Sequence, residues 1–344
     1  MKKRFIIIAI YLLVAIALQT SVLALINYKY LAGFSAPDKV VDSKPIEAPK
    51  PVEKKNLIEA GASDIKASES NKYVSYIKDN QLKYLILDKY DMAIASEVKP
   101  YLYIWLYDDK ILYINNVKSN TNNYEFYIYD IDKKEKNLVA TLKLQDENAQ
   151  LEKVINSSLK NLLFVKVKSY GKVQVMKLNT QQGVFEDVNT QSRDIEDLLV
   201  IPHEDKIIYN TKALNKFYIS YISKTIALKE NGQQVLLGVD SSDKVFIGIS
   251  KNDVITSIYY GLINEGIDSW TKVQVKNSVK RDNILISKDG KIFELNAETQ
   301  IIKSVVGDKE LTYKGTYLNM KDNNIISIKD NEIIVNKPES VVKN

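Results

Sequence analysis

The chain repeats itself at intervals of a few tens of residues, and that period limits the folds open to it more than any other feature. Four segments share one pattern: an apolar strand closed by Asp or Asn, a short polar stretch, then another apolar strand. They are Leu85-Ile86-Leu87-Asp88, Tyr127-Ile128-Tyr129-Asp130, Met176-Lys177-Leu178-Asn179 and Phe293-Glu294-Leu295-Asn296. Weaker copies close near Ser223, at Asn264 and at Asn336, so successive closing positions lie 42, 49, 44, 41, 32 and 40 residues apart. A partner strand of similar composition precedes most of them, as in Lys110-Ile111-Leu112-Tyr113 and Lys206-Ile207-Ile208-Tyr209. A unit of this size cannot bury its own apolar surface and must stack on its neighbours.

One unit reads as four strands, at residues 101–107, 110–115, 125–130 and 138–142. Along the first of them Tyr101, Tyr103, Trp105 and Tyr107 point to one face, with Leu102, Ile104 and Leu106 on the other. A strand apolar on both faces belongs between two sheets. Turn chemistry separates the strands at Asp79-Asn80, Asp108-Asp109, Tyr170-Gly171, Asp289-Gly290 and Asp330-Asn331. With only 12 glycines in the chain, Asp and Asn must supply most of the positive-φ positions that tight hairpins need. Four antiparallel strands per period of about 40 residues specify an all-β fold, a β-propeller of four-stranded antiparallel blades. Seven copies imply seven blades, and the uneven spacing leaves six or eight open. The last hairpin, residues 324–327 with 332–336, lacks an outer strand. Residues 339–343, after the turn at Pro338 and with Val341-Val342, are favoured to fill it; a returning segment at 56–60 is the alternative.

The hairpin Ile284-Leu285-Ile286-Ser287-Lys288-Asp289-Gly290-Lys291-Ile292-Phe293-Glu294-Leu295-Asn296 resembles a blade of the degenerate bacterial β-propeller superfamily. That group includes the propellers of the Tol-Pal system, the quinoprotein-like outer-membrane assembly scaffolds and the N-terminal propellers of prolyl peptidases. The resemblance extends over most of residues 73–343 and implies the fold. Recurrent Trp-Asp strand ends, Gly-Gly pairs and the Ser-x-Asp-x-Gly-x-Thr-Trp box of sharper subfamilies are missing, so no enzymatic or cofactor role carries over to any residue here.

Ahead of the repeats, residues 5–26 form an apolar run behind Lys2, Lys3 and Arg4. About 20 residues suffice to cross a ~30 Å hydrocarbon core. The cations place the N-terminus in the cytoplasm and the remainder outside, with Tyr28 and Tyr30 at the interface. The expected organisation is a cytoplasmic N-terminus and single-pass signal anchor over 1–31, a linker over 32–72, and an extracytoplasmic propeller over 73–344. The competing reading is a signal peptide cleaved near Val22-Leu23-Ala24, which leaves a secreted domain. The linker holds Pro37, Pro45, Pro49 and Pro51 among alternating charges, a composition that favours an extended spacer.

The formal charge of +5 belongs mostly to the N-terminal cations, leaving the folded part near neutrality. A nucleic-acid partner needs a clustered basic excess and is set aside. The chain has no cysteine, which removes disulfides, thiolate zinc sites and thiol catalysis. Its one histidine, His203, sits in a strand-connecting turn without a Gly-x-Ser-x-Gly nucleophile, and reads as a surface residue. The acid pairs Asp108-Asp109, Asp130 with Asp132, and Asp322 with Asp330 read as hairpin-end chemistry rather than metal or glycosidase carboxylates. Adjacent Tyr259 and Tyr260 must send their rings to opposite faces. No residue is assigned a catalytic, cofactor-binding or metal-binding role, and no cofactor is expected.

Two functions fit these observations. The leading one is a membrane-tethered, non-enzymatic protein-interaction module of the cell envelope. The alternative is an envelope carbohydrate-binding or carboxylate-based carbohydrate-active protein. Acids and tyrosines converging on the central funnel mark the alternative; a flat apolar patch of several hundred Å² marks protein binding.

Overall fold

The structure, a computed structural model, describes residues 16–25, 55–118, 122–159, 161–211 and 214–337. The helix at residues 16–25 belongs to one unit of the chain, Met1–Glu53, and the strands belong to another, Lys54–Asn344. In the helix, Thr20 and Ser21 turn their hydroxyls back onto the carbonyls of Ile16 and Ala17. Among the described residues no helix is long and apolar enough to cross a membrane. Most of the expected anchor, including residues 5–15, lies outside the described residues.

The second unit is a seven-bladed β-propeller. Six four-stranded antiparallel sheets and one three-stranded sheet follow one another along the chain. Within each sheet the strands pair in sequence order, so every blade is a simple meander. The first strands are Ser63–Ala67, Leu102–Trp105, Gln150–Asn156, Ile195–Ile201, Gln233–Val239, Ile284–Ile286 and Thr316–Lys321. Those of blades 3, 4, 5 and 6 lie side by side in turn, and that of blade 1 lies beside that of blade 7. They therefore line the centre of the ring. The expectation of seven blades holds, and six and eight are excluded.

The core is divided among the seams. Seven apolar clusters occur among the described residues, one between each pair of neighbouring blades. The alternation read from residues 101–107 holds over 102–106 and explains how, whereas Tyr101, outside the strand Leu102–Trp105, turns to the blade 3 side, where its hydroxyl donates to Leu151 O at 3.1 Å. Tyr103 and Trp105 enter the cluster shared with blade 1, while Leu102, Ile104 and Leu106 enter the one shared with blade 3. Tyr259 and Tyr260 divide in the same way between the seams on either side of blade 5, where Tyr260 stacks on Phe246. Central strands such as Lys244–Lys251 are buried along both faces. Asp and Asn carry the turns as expected: Asp79-Asn80, Asn252-Asp253, Asp322-Asn323 and Asp330-Asn331 are all pairs at positive φ.

Three readings from sequence need correction. Asn296 ends the second strand of blade 6, Ile292–Asn296, and the third strand is Ile301–Ser304. The first strand of that blade, Ile284–Ile286, has three residues, too few to register as a strand in the repeat pattern. The landmark therefore fell one strand early; counted from Ser304 the intervals of 32 and 40 become 40 and 32, so the short step lies between blades 6 and 7. The folded unit also begins before Tyr73, because Ser63–Ala67 is the first strand of blade 1. Its Ile65 and Ala67 pack into the seam with blade 7, although they are embedded in the charged composition that reads as linker.

Closure is the third. The three strands of blade 7 are extended by the segment around Leu57, which bridges Glu332. Ile58 N–H donates to Asn331 O at 2.9 Å and Ile333 N–H donates to Asn56 O at 2.7 Å. The returning N-terminal segment thus takes the outer position, while residues 339–343 lie outside the described residues. Ile58 is 5% exposed and packs among Val74, Tyr76, Leu85, Ile326 and Ile333, so it joins the first and last blades through side chain as well as backbone. Its neighbour Leu57 is 55% exposed. Ile58→Ala is expected to cost about 2–4 kcal/mol in denaturant unfolding, and Leu57→Ala less than about 0.5 kcal/mol. Equal costs for the two would contradict closure by this segment.

Candidate functional site

In each blade the turn between first and second strands emerges on the same face of the ring. Hydrogen bonds stitch these turns together at four seams. Asn319 Nδ2 donates to Ser68 O at 3.1 Å and to Asn71 Oδ1 at 2.9 Å, joining blade 7 to blade 1. Ser241 N–H and Oγ both donate to Lys288 O, at 2.9 and 2.7 Å, joining blade 5 to blade 6. His203 N–H donates to Asp243 Oδ1 at 2.9 Å between blades 4 and 5, and the Ser158 hydroxyl donates to Pro202 O between blades 3 and 4.

Cavities open on this face at the other three seams. The largest, of about 510 Å³, sits at the mouth of the central channel between blades 6 and 7. Its charged lining is Glu69, Lys288, Asp289, Lys291, Lys321 and Asp322, three of each sign, with Ser241, Ser287 and Asn319 between them. Lys288 spans the mouth. From the blade 6 turn its Nζ donates to Glu69 Oε2 on blade 1 and lies 4.7 Å from the centre of the Tyr107 ring on blade 2.

Tyr107 is 41% exposed, yet its phenol is pushed up to about 12, first by burial and then by the charge of Glu69. A side chain open to solvent but desolvated at its tip lines a concavity. At the seam between blades 1 and 2, Lys66 Nζ lies 4.0 Å over the Tyr103 ring, and the Tyr103 hydroxyl donates to Asp64 O. Asp197 on the first strand of blade 4 accepts from Lys153 at 3.1 Å and from Arg281. Burial acts to raise the Asp197 carboxyl, but the two cations outweigh it and hold the group below its ordinary range.

A second cavity, of about 450 Å³, lies between blades 2 and 3 and has Tyr107 on its wall. Leu106, Ile128 and Leu163 supply apolar surface, and Asn156, Ser157, Asn161, Thr180 and Gln181 supply amides and hydroxyls. The third, about 500 Å³ between blades 1 and 2, gathers Asp108, Asp109, Asp130 and Asp132 with Lys72, Lys110 and Lys133. Lys110 pairs with Asp108 at 2.7 Å, and Asp109 holds a positive φ, in line with the hairpin-end reading of these acids. Among the described residues no group of three or more His, Asp or Glu side chains is placed to hold a metal ion. His203, with 61% of its side chain exposed, has Nδ1 3.2 Å from Asp243 Oδ1, so it serves a seam on the surface.

Sequence reasoning singled out none of Glu69, Lys288 or Asn319. Each is an ordinary turn or strand polar residue in its own blade, and only ring closure brings them together. The Asp289-Gly290 turn was the available signal, since it marks where blade 6 presents residues to the loop face.

No protein-family model matches the chain, and no curated protein does. Among solved structures the chain is similar to an oligogalacturonate lyase from Vibrio parahaemolyticus, with a TM-score of 0.59 at 11% identity over 80% of this chain and 92% of that one. It is also similar to dipeptidyl peptidase 4 of Porphyromonas gingivalis, with a TM-score of 0.48 at 10% identity over 77% of this chain and 49% of that one. For TolB from Acinetobacter baumannii the TM-score is 0.45 at 12% identity, over 72% and 62% of the two chains. At such identities the likeness to the lyase shows the propeller fold alone.

The raised phenol gives this geometry a pH signature. A group whose folded pKa exceeds its unfolded value adds stability that is complete below the unfolded value, near 10.0, and lost as pH rises through about 12. In difference spectrophotometric titration against Tyr107→Phe, the Tyr107 phenol should ionise near 12. Glu69→Gln should lower that midpoint while leaving it above 10.0, because burial is the larger cause. An ordinary phenol midpoint in the unaltered protein would contradict the geometry.

Proposed function

We propose that this chain is a membrane-tethered, extracytoplasmic, non-enzymatic binding module of the cell envelope, and that it holds its partner at the mouth of the central channel. The tether rests on the Lys2, Lys3 and Arg4 cluster ahead of the apolar run. Of the two partner classes left open by the sequence, the site favours an envelope carbohydrate over a protein surface. The observation that carries this is the convergence of Glu69 and Lys288, from blades 1 and 6, on one polar cavity, with the Tyr107 ring of blade 2, on the wall of the neighbouring cavity, 4.7 Å from the Lys288 Nζ. Such cavities, a few hundred Å³ with polar groups converging from several elements, are the usual form of small-ligand sites. Exposed apolar side chains such as Met92, Ile94, Leu138 and Val184 are instead spread over the outer strands of blades 1 to 3, far from a single flat patch at the mouth.

Binding rather than turnover is the reading because two of the three carboxylates of the mouth are engaged as ion-pair partners: Glu69 with Lys288, and Asp289 with Lys291 at 2.5 Å. Full-length protein, in a detergent without a sugar headgroup, should be retained on insoluble envelope glycan and eluted by free oligosaccharide, with the oligosaccharide recovered uncut. His203→Ala should bind as well as the parent. Shortened oligosaccharide would replace binding with hydrolysis or lysis. No retention, together with a specific protein crosslinked to the loop face in intact cells, would restore the protein-interaction reading.

A further inference from the structure

The geometry points to a linear, uncharged oligosaccharide as the ligand, long enough to lie across Tyr107 and occupy both the mouth cavity and the cavity between blades 2 and 3. This deepens the glycan-binding reading and rests on it. Three observations carry it.

The first is continuity. Lys288 belongs to the mouth, Tyr107 lines the second cavity, and the Lys288 Nζ lies 4.7 Å from the Tyr107 ring centre, so a single side-chain contact links the lining of one cavity to the lining of the other. The second is an orphan donor. Asn156 lines the second cavity, and its Nδ2 is shielded from solvent with no hydrogen-bond partner among the described residues. A donor left unpaired in this way is destabilising, and a ligand acceptor in the cavity would relieve it. The third is charge. The mouth carries three cations and three anions, and the second cavity one of each, Lys110 and Asp108, among uncharged amides and hydroxyls. A polyanion or polycation gains nothing net from such a lining, whereas hydroxyls can both donate and accept at every point. The Tyr107 ring carries the Lys288 ammonium over it and is still 41% exposed, so its remaining surface can meet a sugar ring beside a polar group.

The test compares neutral β-1,4-linked glucose and N-acetylglucosamine oligomers, as disaccharides and hexasaccharides, by calorimetry on the full-length protein. The hexasaccharide should bind at least about tenfold more tightly than the disaccharide, a gain equivalent to one or two recovered hydrogen bonds. Asn156→Leu and Gln181→Trp, the latter placed at the exposed rim of the second cavity, should erase that gain and leave disaccharide binding intact. Asn156→Leu should not lower the melting temperature, since it removes an unpaired donor. Lys288→Ala should weaken both ligands.

Equal affinity for the two lengths, or a gain that survives both second-cavity variants while Lys288→Ala still weakens binding, would overturn the two-cavity assignment and leave the glycan-binding reading standing. A hexagalacturonate preferred over the neutral chains would overturn the uncharged class. Binding of an uncharged extended Gly-Ser-Asn peptide in place of every sugar, or failure of all the oligosaccharides to bind, would overturn both readings.

Discussion

Apolar packing between neighbouring blades is the interaction on which everything else in this molecule rests. A four-stranded sheet whose central strands are apolar on both faces has no stable existence alone. Burying one large apolar side chain contributes about 1.5–3 kcal/mol, and Phe164, Phe217, Phe246 and Phe293 are each buried at a different seam. Each blade thereby stabilises the next, and the arrangement is complete only when the last meets the first. The Ile58 side chain, with the backbone hydrogen bonds from Ile58 to Asn331 and from Ile333 to Asn56, ties that junction. An open ring would expose two apolar sheet faces and an unpaired strand edge, the features that drive aggregation.

The same closure builds the site. Glu69 and Lys288 are 219 positions apart in sequence and meet only because blades 1, 6 and 7 share a ring. The loop-face hydrogen bonds at four seams hold the turns of blades 3 to 6, and of 7 with 1, in fixed relation. The cavities open at the remaining seams, beside blade 2 and between blades 6 and 7. The scaffold is therefore tied where the ligand is not expected and open where it is.

How much of this was legible in the sequence follows from which properties are local. Alternation is local, so the faces of residues 102–106 and the opposed rings of Tyr259 and Tyr260 could be read directly, while Tyr101 and Tyr107, beyond the strand ends, leave the alternation and turn toward blade 3. Turn chemistry is local as well, and Asp330-Asn331 or Asp79-Asn80 could be recognised from the residues alone. The phase of blade 6 was lost because a three-residue strand carries no period. The closing segment, residues 56–60, stood only as the alternative, because a single bridge at Leu57 needs no alternation, and its anchoring residue, Ile58, is one apolar side chain in a charged stretch. The mouth was invisible for a different reason. Lys288 is chemically an ordinary turn lysine, and its role comes from the Glu69 carboxylate and the Tyr107 ring that the fold brings to it.

Residue-resolved hydrogen exchange under native conditions tests the dependence on ring closure most directly. If the ring is one cooperative unit closed by the N-terminal segment, the Ile58 and Ile333 amides should exchange only through global unfolding, at the same free energy as central-strand amides such as Val165 and Ile247. Exchange at Ile58 and Ile333 that is orders of magnitude faster than in those strands would show that the seam between blades 7 and 1 opens independently, and would contradict the account.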